Sequence, residues 1–121
     1  MTADEIKALL KLAPHPVEGG WFRRTYASQG TVALSRGIRA QGTAIYYLLE
    51  AGGFSELHVL ESDEIFHFYL GDPVEMLHLY PSGGAAVLTL GQDLAAGQLV
   101  RWWCLPGCGK DCGWWGMARL P

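Results

Sequence analysis

His58, Glu64 and His67 fall within one short stretch, Gly53 to Gly71. Imidazole and carboxylate side chains at this spacing can ligate a metal or pass a proton. Two apolar runs flank the polar break Glu61-Ser62-Asp63, which predicts two strands joined by a tight turn. Strand alternation puts Glu64, Phe66, Phe68 and Leu70 on one face and Ile65, His67 and Tyr69 on the other. If the phenylalanine face is the core, Glu64 is a buried acid that must be paired, protonated or bound to something. His58, across the predicted hairpin, is placed to share its proton. His67 faces away from Glu64, toward the exterior or a subunit interface.

The chain that positions these residues has 121 of them, enough for one domain with one core. Half are hydrophobic and 17% are charged, which excludes a disordered chain. A net charge of -3 without a basic patch argues against nucleic acid as partner. No apolar leader or membrane-length run is visible, so the expectation is a soluble, cytoplasmic protein without membrane association. Thr2 and Glu5 fit a capping box, and Ile6, Leu9 and Leu10 recur at helical spacing; Ala3 to Leu12 is predicted as one short helix.

After that helix, short apolar runs alternate with glycine-rich turns. Strands are expected at Trp21 to Tyr26, Thr43 to Leu49, the two central runs, Val74 to Tyr80, Ala85 to Leu90 and Gln98 to Leu105. Ala27 to Gln41 reads as a loop. His15, between two prolines, reads as a structural turn residue, and His78 as a core histidine bonded to a neighbour. This pattern predicts an all-β sandwich or barrel. Cys104, Cys108 and Cys112 are odd in number and lack paired zinc-type spacing, so neither a disulfide framework nor a thiolate metal site is expected.

The central stretch resembles the first motif of the cupins: His58-Val59-Leu60, three residues, Glu64, six residues, Gly71. Further words resemble one small single-domain cupin subfamily: Pro14-His15-Pro16, Glu18-Gly19-Gly20-Trp21-Phe22, Thr25-Tyr26, Thr43-Ala44-Ile45-Tyr46, Ser62-Asp63-Glu64 and His67-Phe68-Tyr69. That subfamily is similar in structure to dTDP-sugar epimerases. The resemblance implies a double-stranded β-helix, the jelly-roll barrel, with a short N-terminal helix.

The chain also departs from the pattern. Arg24 stands at a usual Glu, Val59 at a usual Arg and Phe66 at a usual Trp. The second cupin motif, Pro-x-Gly-x-x-His, is replaced by Pro106-Gly107-Cys108-Gly109-Lys110. Only His58 and Glu64 remain of four expected ligands, too few to hold a transition metal well. No metal or cofactor is therefore expected.

The resemblance implies a pocket for a small molecule, a sugar or nucleotide sugar. In it Glu64 and His58 are the acid–base candidates, and Phe66, Phe68, Tyr46 and Arg23 the substrate-binding candidates. Four readings stay open. One is an epimerase- or isomerase-like enzyme without metal. The others are a non-catalytic binding module, a metal-binding cupin that uses His58 and Glu64, and a structural dimer-forming domain whose pocket has decayed. Small cupins pair through their sheets, and Trp21 to Tyr26 read as an edge strand needs a partner, so a homodimer is expected.

Residues 101–121 form an atypical tail of the single domain 1–121. They hold four of the five tryptophans and all three cysteines. Single-codon residues fix part of the shifted frame here. Read two bases forward, Trp102 into Trp103 and Trp103 into Cys104 each give Val, and Trp115 into Gly116 gives Gly. The remaining codons permit Ala-Val-Val-Val-Pro-Pro-Gly-Val-Trp-Gln-Gly, which is similar to the family's second motif with Gln at the metal-binding His. Either the tail is divergent or it is a frameshifted version of that motif. The second reading expects the last strands to be lost and tryptophans to be exposed.

Overall fold

Thr2 starts the only α-helix among the described residues, α1 (Ala3–Leu10). The Glu5 amide donates to Thr2 Oγ1 at 3.2 Å, and the Thr2 amide to Glu5 Oε2 at 2.7 Å. The helix ends at Leu10, short of the expected Leu12. Lys11 turns left-handed (φ 54°), and the Leu12 amide closes back on the Lys7 carbonyl at 2.9 Å. The computed structural model describes residues 1–60, 62–106 and 109–113, of which 56–58 and 109–113 are described by backbone alone.

The chain falls into two units, Met1–Pro16 with Gly20–Leu48, and Val17–Gly19 with the chain from Leu49 onward. In the first, β1 (Ala13–Pro14), β2 (Trp21–Ala27) and β5 (Thr43–Leu48) form an antiparallel sheet in the order β1-β2-β5. The expectation of an edge strand at Trp21 to Tyr26 needs correction, because β2 lies between β1 and β5. Its cover is short: β1 reaches only Trp21 and Phe22, and from Arg23 on that edge pairs with no strand among the described residues.

The expected loop Ala27 to Gln41 is instead a hairpin of β3 (Thr31–Leu34) and β4 (Gly37–Ala40). Its register leaves Ser35 and Arg36 as a two-residue turn, and Gly37 takes the positive φ (110°) that follows it. Its base is tied by the Ser28 amide donating to the Gly42 carbonyl at 2.8 Å. Val32 and Ile38 lie exposed, so burial imposes little alternation on these strands.

Gly20 shows why the Glu18-Gly19-Gly20 turn needs glycine. Its φ is 71°, and a Cβ there would stand 2.6 Å from the Tyr47 hydroxyl oxygen. The Gly20 carbonyl in turn accepts from the His15 amide at 2.9 Å. The His15 ring packs on Phe22 at 4.7 Å, with Tyr47 at its edge. His15 is thus a packed structural residue.

The second unit contains β6 (Phe54–Val59), β7 (Glu64–His67), β8 (Val74–Leu79), β9 (Ala85–Leu90), a short 3-10 turn (Leu94–Ala96), β10 (Arg101–Cys104) and β11 (Gly109–Gly113). One sheet runs β6-β11-β8-β9, and the other pairs β7 with β10. The predicted central hairpin is corrected here. β6 pairs with β11 and β7 with β10, so the chain changes sheet across the polar break, and β6 and β7 do not pair among the described residues. Glu61, within that break, lies outside the described residues.

Two strands come from the segment read as an atypical tail, β10 and β11, and β11 fills the centre of the four-stranded sheet. Loss of both strands is therefore not what the structure has. Gly107, Cys108 and 114–121 lie outside the described residues, as do the expectations that fall on them. The core of this unit is Met76, Leu90 and Cys104. Leu49, Phe66, Phe68, Leu88, Leu99 and Trp102 pack around it.

Candidate functional site

The β7–β10 pair carries the inward chemistry of the second unit. Its register sets Cys104 opposite Glu64, Trp103 opposite Ile65, Trp102 opposite Phe66 and Arg101 opposite His67. Side chains directly opposite in an antiparallel pair share a face. Burial follows: Glu64, Phe66, Trp102 and Cys104 point inward, whereas Ile65, His67, Arg101 and Trp103 are exposed. The predicted alternation on Glu64, Phe66 and Phe68 is thus observed, although Leu70, beyond the end of β7, is exposed. His67 faces outward and stacks on Tyr69, with centroids 6.3 Å apart.

The inner face is aromatic with polar points in it. Glu64 Oε2 is shielded from solvent. The Trp102 Nε1–H is a buried donor with no acceptor among the described residues. Trp102 stands edge-on to His78 at 6.0 Å and 84°, and stacks on Trp103 at 5.4 Å. His78 is fully enclosed, as expected of a core histidine. Its Nε2 lies 2.8 Å from Met76 Sδ and 3.5 Å from Cys104 Sγ. Among the described residues, no group of three or more His, Cys, Asp or Glu side chains is placed to hold a metal.

The other predicted site residues are distributed as follows. Phe66 and Phe68 both pack on the core beside this face. His58 lies on β6, in the other sheet, with its backbone opposite Lys110. The shared hairpin that was to bring it to Glu64 does not form among the described residues, where β6 pairs with β11 and β7 with β10, and its side chain lies outside the described atoms. Arg23 and Tyr46 belong to the first unit, where they are cross-strand neighbours with the guanidinium 5.6 Å from the ring centroid. Arg23 Nε also donates to the Leu10 carbonyl at 2.6 Å, which satisfies a terminal acceptor of α1. Sequence reasoning missed Trp102 and Cys104 because two adjacent tryptophans mask the period of two.

The family model described as Cupin superfamily (DUF985) matches residues 4–117. This chain belongs to the cupin superfamily (DUF985). The match runs through β10 and β11 into the segment that reads as atypical. Two solved structures share the cupin fold seen here. A hypothetical protein from Leishmania major is 27% identical with a TM-score of 0.85, over 93% of this chain and 70% of its own. A protein from Shewanella oneidensis is 31% identical with a TM-score of 0.85, over 96% of this chain and 71% of its own. No curated protein matches this cupin. The finer likeness to dTDP-sugar epimerases draws no support from these matches. No helix among the described residues of this cupin is long and apolar enough to cross a membrane.

Proposed function

We propose that this cupin binds a small polyhydroxylated molecule, a sugar or nucleotide sugar, on the inner face that carries Glu64, and does so without a metal. The observation that carries the reading is the placement of Glu64 beside Phe66, with Oε2 shielded from solvent and the Trp102 indole N–H on the same face. A carboxylate accepts from ligand hydroxyls and an indole N–H donates to ring or hydroxyl oxygens. Aromatic walls with a few convergent polar groups are the usual make-up of such a site. Phe66 and Phe68 would form the wall. His58 is proposed as a further contact.

A second reading makes the same carboxylate a proton carrier. Shielding from water suits a general base that moves a proton beside a sugar carbonyl, as an epimerase or isomerase requires. The reaction would need a second proton carrier, and His58 is the proposed one.

One experiment tests both readings. Thermal-shift and calorimetric titration with a panel of sugars and nucleotide sugars should find a ligand. Glu64→Gln should weaken it by roughly ten- to a hundredfold, because a hydrogen bond to a charged group is worth about 1.5–3 kcal/mol. Turnover that vanishes in Glu64→Gln supports the enzyme, and binding without turnover supports the module. Equal affinity of wild type and variant for every ligand found would remove Glu64 from the site and overturn both.

A further inference from the structure

The net charge of -3 hides a division between the two units. Met1–Pro16 with Gly20–Leu48 carries six basic residues against two acids, a surplus of four positive charges. Val17–Gly19 with the chain from Leu49 onward carries ten acids against three basic residues, a surplus of seven negative charges. From Gly19 to Leu49 there is no acid, and there are four arginines: Arg23, Arg24, Arg36 and Arg39.

These arginines lie on a ribbon made of the second half of β2, the β3–β4 hairpin and the start of β5, and all four are exposed. Both faces of the hairpin are open. Val32 and Arg39 share one, Ala33 and Ile38 the other, and all four side chains are exposed. Among the described residues, β3 and β4 pair only with each other. A two-stranded hairpin without a covered face is marginal in water. Ile38 is 70% exposed, and Tyr26 and Ile45 of the same ribbon are exposed too. The acidic unit has an uncovered face of its own. Ile65 and Trp103, opposite one another on the outer side of β7–β10, are 58% and 54% exposed, and Asp63, two residues before Ile65, is exposed as well.

We propose that the arginine ribbon of one copy docks on the outer β7–β10 face of a second copy, mutually about a two-fold axis. Charge chooses a second copy over a polyanion. A nucleic acid or an anionic membrane extends far beyond the Debye length of about 8–10 Å, so it meets the negative unit as well as the ribbon, and the net charge of -3 opposes it. A second copy sets its negative unit against the ribbon, and the two-fold axis satisfies both ribbons at once and closes the assembly. Val32 and Ile38 meet Ile65 and Trp103, and a guanidinium can stack on the exposed Trp103 ring. A standard interface takes roughly 20–30 residues a side, which residues 23–45 and the outer face together supply. The receiving surface lies on the opposite side of the ladder from Glu64, so docking backs that short strand pair from outside.

Sedimentation equilibrium at micromolar concentration tests the contact. The expected wild type is a dimer that weakens as NaCl rises from about 50 mM to about 500 mM, because exposed charge pairs are screened. Arg36→Glu/Arg39→Glu should weaken it by about tenfold or more, through repulsion from the acidic unit. Ile65→Lys alone should also weaken it, and adding Ile65→Lys to the arginine reversal should restore part of the loss, which a merely structural effect would not do. Should the reversal fail to fold, Arg36→Gln/Arg39→Gln decides, by a weaker dimer with a flatter salt dependence. With the photo-cross-linker benzoylphenylalanine in place of Ile38, mass spectrometry of the dimer band should find the link in β7 or β10. A wild-type monomer, a dimer indifferent to both arginine variants, or a cross-link elsewhere would overturn the proposal. So would a monomer that binds an oligonucleotide or phosphatidylserine vesicles through these arginines, since its partner would then be a polyanion.

Discussion

Glu64 and Cys104 face one another across the antiparallel ladder of β7 and β10, the one acid and the one thiol on that inner face among the described residues. The pairing sets a residue of the central stretch against a residue of the tail on one piece of sheet. The carboxylate belongs to the first cupin motif. The thiol belongs to a segment whose residues depart from the second. Each strand of the pair is short, so the face depends on packing against Met76, Leu90 and their neighbours more than on its own hydrogen bonds.

That dependence predicts a contrast on neighbouring strands. Met76→Ala should cost about 2–5 kcal/mol in urea denaturation, because it opens a cavity in the core. Val87→Ala, 65% exposed on β9, should stay within about 0.5 kcal/mol. Equal costs would mean that the core lies elsewhere.

Arg23 separates structure from binding. Arg23→Ala loses the bond to the Leu10 carbonyl and the contact with the Tyr46 ring, and should cost about 1 kcal/mol of stability. A variant of unchanged stability that has lost ligand affinity would instead make Arg23 a ligand contact.

The edge of β2 beyond Phe22 pairs with no strand among the described residues, and we propose a homodimer that pairs or covers it. Sedimentation equilibrium at micromolar concentration should return twice the chain mass. Arg24→Pro, which blocks strand pairing, should shift the balance toward the 13.3 kDa monomer. A wild-type protein that sediments only as monomer argues against the interface.

For metal at the cupin motif itself, purified protein should carry less than about one-quarter equivalent of iron, manganese, nickel or zinc, since two ligands hold such ions poorly. Near-stoichiometric metal that disappears in His58→Ala would prove the opposite.

The codons of Val100 and Arg101 decide the origin of the tail, which we propose to be a shifted frame. Sequencing the gene there should reveal, two bases forward, a strand reading into Pro-Pro-Gly. If no shifted frame yields it, the tail is a divergent sequence in its own right.

Local patterns were legible wherever one force dominated. The capping box, the glycine turns and the alternation of Glu64 with Phe66 rest on single residues and their neighbours, and they appear as read. Pairing between distant strands was not legible. Nothing in the polar break shows that the chain leaves one sheet for another, so His58 and Glu64 read as hairpin partners although their strands belong to different sheets. The β3–β4 hairpin was missed for another reason. Val32 and Ile38 are exposed, so burial wrote little alternation into that segment. Cys104 escaped because its depth depends on β7, remote in sequence.

The stacked rings of Trp102 and Trp103 give this ladder an optical signature. Two indoles with centroids 5.4 Å apart and planes 22° from parallel couple their electronic transitions, which produces a paired positive and negative band in circular dichroism. Fraying of β10 from β7 would let the rings turn apart and extinguish that couplet. The couplet therefore reports, without any added label, on the strand that brings Cys104 to Glu64.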